Sequence, residues 1–115
     1  MFSTLNTYIV KGSFNMIVQM RRFTVTEGNG HLMVEKFTKG GGLVEQQPGF
    51  IDKTVLEKKV RRGEEEVIML VRWESEEAWK AWEKSPEHIA GHRENRGKPK
   101  PDHVLNVEVT MYEVK

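Results

Sequence analysis

Hydrophobic positions along the 115-residue chain fall into seven runs, four with strand character and three with helix character. Met16 to Val25 is rich in Ile, Val, Met and Phe, and it stops at Thr26-Glu27-Gly28-Asn29-Gly30, a turn cluster that leads into a helix start. His31 to Lys39 offers Leu32, Met33, Val34 and Phe37 for one helical face. Gly40-Gly41-Gly42 ends it, because glycine tolerates positive φ and lowers helix stability. After the Pro48-Gly49 break, Phe50 to Val60 reads as a strand, Gly63 as a hairpin tip and Glu64 to Trp73 as the returning strand. Lys58, Lys59, Arg61 and Arg62 precede the tip and Glu64, Glu65 and Glu66 follow it, so opposite charges are expected to face each other across the hairpin.

Ser75 is the expected N-cap of a helix over Glu76 to Lys84, with Glu76 and Glu77 at its positive end. Ala78, Trp79 and Trp82 share one face of that helix. Ser85-Pro86 restarts a second helix that runs to about Asn95, with proline at the first helical position. Arg96-Gly97-Lys98-Pro99-Lys100-Pro101 is a loop, and Leu105, Val107, Val109 and Met111 then alternate with polar residues as a half-buried strand. The order strand, helix, strand, strand, helix pair, strand predicts an α+β fold: a ferredoxin-like antiparallel sheet with helices on one face. Val67 to Val71 is apolar on both faces of its strand. Helices on one side cover only one face, so a second copy is the simplest cover for the other, giving a homodimer with the two sheets in a shared barrel. Residues 1–15 show no period; Met16 is itself a candidate start, and the domain is expected over 16–115 behind an N-terminal extension.

Composition narrows the chemistry. Eighteen Lys+Arg against 17 Asp+Glu leave a formal charge of +1, which argues against a general nucleic-acid binder. The longest aliphatic run, Val67 to Val71, is far short of the roughly 20 residues of a membrane span, and the absence of a signal-like segment fits a cytoplasmic protein. The absence of cysteine removes disulfides, thiolate metal sites and a cysteine nucleophile. There is no phosphate-cradling glycine loop and no G-x-S-x-G elbow.

Three features carry candidate chemistry. His88 and His92 stand at i, i+4, a metal-ligand spacing that lacks a third ligand, whereas a single imidazole suffices to hold a haem iron. Trp73, Trp79 and Trp82 lie within ten residues; core packing accounts for two, and a flat aromatic ligand is an alternative use of the third. Residues 84–101 carry five cations against Glu87 and Glu94, enough for a solvated loop or for a carboxylate-bearing ligand beside the histidine helix.

The succession of strand, Thr26-Glu27-Gly28-Asn29-Gly30-His31, Pro48-Gly49-Phe50 and Trp73-Glu74-Ser75, with Trp82 nine residues after Trp73 and His92 ten after Trp82, resembles the IsdG-type haem-degrading monooxygenases. These form part of the antibiotic biosynthesis monooxygenase (ABM) superfamily, and Val71 through Lys100 is most similar to its HmoA-like branch. The resemblance implies a dimeric α/β barrel that takes haem as both cofactor and substrate. His92 would be the single iron ligand and Trp82 the bulk that buckles the porphyrin. Arg96 and Lys98 would lie beside the ligand's anionic edge. The reaction would open the tetrapyrrole and free iron, using O2 and electrons from a separate reductase. Family members carry an asparagine donor on the first strand. Counted back from Gly28-Asn29-Gly30, that position is Arg21, whose guanidinium can donate a hydrogen bond or pair with a propionate. Two other readings remain open: a cofactor-free ABM monooxygenase acting on an aromatic or quinone-like molecule, and a non-enzymatic haem-binding module.

Overall fold

The computed structural model describes residues 15–95 and 100–115. The expected extension over residues 1–15 therefore lies outside the described residues, Asn15 excepted. In chain order the elements are β1 (Ile17–Val25), α1 (Gly30–Thr38), a 3-10 turn (Leu43–Gln46), β2 (Phe50–Glu57), β3 (Glu65–Trp73), α2 (Glu76–Glu83), α3 (Pro86–Asn95) and β4 (Val104–Glu113). The four strands form one antiparallel sheet in the order β2-β3-β1-β4. The expected ferredoxin-like α+β architecture is what the chain adopts, with helices packed on one sheet face.

Side-chain alternation along a strand sets which residues meet the helices. Ile17, Phe23 and Val25 of β1 and Val67, Val71 and Trp73 of β3 point to the helical side and are buried. They divide into two clusters. Phe23, Val25, Val67 and Val104 enclose Met33 of α1, with Phe37 packed against them. Ile17, Val71 and Trp73 receive Val44, Phe50, Ala78, Trp79 and Trp82. Trp73 is fully buried, and Phe50 meets it edge-on at 5.9 Å between ring centroids.

Two turns depend on glycine. Gly63 closes the β2–β3 hairpin at φ +89°, as the sequence predicts. Gly49 enters β2 at φ +88°, and a Cβ there would collide with Cβ of Ala78, so α2 lies against bare backbone. Ser75 caps α2 as expected, its Oγ accepting from Ala78 N at 3.1 Å.

Three expectations change. The strand expected over Phe50 to Val60 ends at Glu57, its last tie being Lys58 N to Glu66 O at 2.9 Å. The hairpin carboxylates do not turn to Lys58, Lys59, Arg61 and Arg62. Glu65 accepts from Gly28 N and Gly30 N, each at 2.8 Å, because the side chain of Asn29 gives α1 no cap. Glu66 faces Arg22 instead. Finally, β4 forms, but Leu105, Val107 and Val109 stay 40–52% exposed, since α1 lies over β2 and β3 and leaves the β4 edge uncovered.

The two backbone amides hold the Glu65 carboxyl below its usual range. A group whose folded pKa is depressed contributes stability above its unfolded value, near 4.3, and loses it as pH falls through the folded value. Glu65→Gln is expected to lower the melting temperature at pH 7, with the difference from the parent chain shrinking towards pH 3. Melting curves of both proteins between pH 3 and 7 measure this, and a gap constant across that range would contradict it.

Candidate active site

Helices α2 and α3 meet at a tight junction. Ser85 Oγ donates to Trp82 O at 2.7 Å and accepts from His88 N at 3.1 Å, so one hydroxyl closes the end of α2 and caps the start of α3. The junction sets Trp82 against His88: the rings meet edge-on with centroids 4.9 Å apart, and His88 Nε2 lies 3.4 Å from Glu83 Oε2. Trp82 also packs on the Ile17–Val71–Trp73 cluster, so its indole is held between the sheet and the second helix.

Below this junction is an open cleft of about 390 Å³. Trp82 forms one wall, and Glu87, His88 and Gly91 of α3 contribute another. Leu43 and Val44 of the 3-10 turn line it further. Arg21, from the middle of β1 on the helical side of the sheet, supplies the cation. The cleft thus joins a flat aromatic wall, two aliphatic side chains, the Arg21 guanidinium and the Glu87 carboxylate. This is a lining suited to a flat, largely apolar ligand with anionic substituents.

The structure brings together two of the expected site residues, Trp82 and Arg21, which are 61 positions apart in sequence. His92 is on α3, next to Gly91 and one helical turn beyond His88. The side chain of His92, and Arg96 and Lys98, lie outside the described residues. Sequence reasoning did not single out Leu43 and Val44 as lining residues. Their one signal is an apolar pair directly after Gly40-Gly41-Gly42. His31 and His103 belong to the other end of the sheet: His31 lies near Glu65, and His103 O accepts from Thr26 N. Among the described residues, no three His, Asp or Glu side chains converge as a metal site. Among them, too, no helix is long and apolar enough to cross a membrane.

Comparison with known proteins places this geometry. The family model for antibiotic biosynthesis monooxygenase matches residues 16–94. The chain is 56% identical over 100 residues to heme-degrading monooxygenase HmoA of Bacillus subtilis, covering 87% of this chain and 92% of that one. Among solved structures, an antibiotic biosynthesis monooxygenase of Bacillus cereus superposes with a TM-score of 0.75 at 53% identity, over 87% of this chain and 91% of that one. The heme degrader MhuD of Mycobacterium tuberculosis, solved with two hemes in its active site, has a TM-score of 0.61 at 28% identity, over 85% and 94% of the two chains. With the family model matching most of the chain and a relative 56% identical across it, the chain belongs to the antibiotic biosynthesis monooxygenase family.

Proposed function

We propose that this protein is a haem-degrading monooxygenase that opens the haem tetrapyrrole with O2 and external electrons and releases its iron. The observation that carries the reading is the convergence of Trp82 and Arg21 on one cleft walled by the helix that bears His92, in a chain 56% identical to HmoA. Haem is the substrate, and its iron supplies the centre at which O2 is activated.

The chain's own residues bind, bend and donate. His92 would hold the iron as its single protein ligand. The indole of Trp82 is backed by the His88 ring and the sheet cluster, and Ser85 fixes its backbone, so its bulk would press on a bound porphyrin and buckle it. Arg21, which lines the cleft, would donate a hydrogen bond to the bound ligand and cannot act as a base. Arg96 and Lys98 would supply cations for the propionates. Electrons come from a separate reductase, and the cytoplasm is the compartment that supplies both it and haem.

The protein works as a homodimer. On the sheet face away from the helices, Val18 and Met20 of β1, Ile68 and Leu70 of β3 and the exposed Leu56 of β2 form an apolar centre. It is flanked by the Arg72–Asp52 and Arg22–Glu108 pairs. A second copy covers this centre and joins the flanks, which is how a two-sided apolar strand such as β3 stays out of water.

Hemin titration tests the function. The parent chain is expected to develop a Soret band and lose it with iron release when ascorbate is added. His92→Ala is expected to lose the ligand-field signature of the bound iron; an unchanged spectrum would remove His92 as the ligand. Stable haem that survives reductant would instead mark a binding module. For Arg21→Leu, hemin affinity is expected to stay within about threefold while the degradation rate falls at least about tenfold, the scale of one lost charge-assisted hydrogen bond. If affinity falls in step with rate, Arg21 binds a propionate instead. Sedimentation is expected to return twice the 13.4 kDa chain mass, and Leu70→Glu on the sheet face to return the monomer.

A further inference from the structure

We infer that Leu43 is a porphyrin-binding residue, presented to the ring of the ligand by a polar staple that keeps the 3-10 turn at the mouth of the cleft. The inference rests on the haem reading of the cleft and adds a residue to it. Leu43 is 52% exposed. Single exposed leucines are ordinary on a protein surface and need no explanation. This one differs in two respects: it lines the cleft with Trp82 and Arg21, and its backbone is fixed there.

Four polar links do the fixing. Gly41 N donates to Glu45 Oε1 at 2.9 Å, and Lys53 Nζ reaches Glu45 Oε2 at 2.9 Å. The same ammonium donates to Lys39 O at 3.1 Å, and Gln47 Nε2 donates to Leu43 O at 3.0 Å. Both ends of the segment are therefore tied to β2 or to the turn itself. Val44, the neighbouring residue, is packed into the Ile17–Val71–Trp73 cluster, so the turn is anchored in the core on one side. With Val44 occupying the core, Leu43 is left facing the cleft and water. An apolar side chain held half in water gains when a flat apolar ring covers it, and a backbone fixed before binding spares the cost of ordering the turn.

Metal-free protoporphyrin IX and hemin, titrated in parallel, test this role separately from iron coordination. Leu43→Ala is expected to weaken both porphyrins by about tenfold and Leu43→Met to recover most of the loss, with melting temperature unchanged because the side chain supports no core contact. Glu45→Gln, which loosens the staple, is expected to weaken both by about threefold. Unchanged affinity for both porphyrins in Leu43→Ala overturns the inference. So does a loss confined to hemin, since it would act through the iron. A parent chain that binds neither porphyrin overturns the haem reading itself, and the Leu43 role with it.

Discussion

The close approach of α2 to the start of β2 is the constraint on which the site depends. Gly49 sits at a positive φ with no room for a Cβ beside Ala78, and Glu74 N donates back to Gly49 O at 2.8 Å. This pins the first turn of α2 against the end of β3 where Trp73 is buried. Everything downstream inherits that position: Ser75 starts the helix, Trp79 and Trp82 land on the cluster below, and Ser85 turns the chain into α3. Were a side chain to push α2 outward by even part of an ångström, Trp82 would lose its backing. A tryptophan without backing is free to change rotamer.

The placement of the cleft follows from what the helices leave uncovered. Helix α1 packs over β2 and β3 and buries Met33 among Phe23, Val25 and Val67. The α2–α3 pair occupies the other end. Arg21 lies between, at a position of β1 where an apolar residue would be expected if a helix sat directly on it. A guanidinium is tolerated there because the cleft admits water. The polar break in the strand and the gap between the helical layers are therefore the same feature seen at two levels. An α+β sheet can hold a functional cation on its helical face only where its helices part.

Much of the fold is legible in the sequence because it is local. The apolar runs of β1 and β3, the Ser75 cap, the Ser85-Pro86 restart and the Gly63 tip each act through neighbouring residues, and each appears where the pattern puts it. What escapes is tertiary. Glu65 is read as a hairpin charge, yet it serves the amides of Gly28 and Gly30, 37 and 35 positions away in sequence. No local rule distinguishes the two uses; only the folded position of α1, left without a side-chain cap, does. The apolar face of β4 is read as half-buried because alternation reports a strand's two faces and not whether anything lies over them. In the site, Trp82 and Arg21, which the structure puts on one cleft, are legible only through the family resemblance. Leu43 and Val44 are not, because a four-residue 3-10 turn leaves no period to detect.

The same distinction orders the energetics of the site. Trp82 is held by elements adjacent in sequence, through the Ser85 hydroxyl on its backbone carbonyl and the His88 ring, and also by the sheet cluster beneath it. The 3-10 turn that faces it is tied to β2 through Lys53 and Glu45. Lys53 holds the Glu45 carboxyl below its usual range, which keeps this tie charged on both sides through neutral pH. The two walls of the cleft thus meet on one cluster, Ile17, Val71 and Trp73, on which both Trp82 and Val44 pack, with further ties from the helix pair on one side and from β2 on the other.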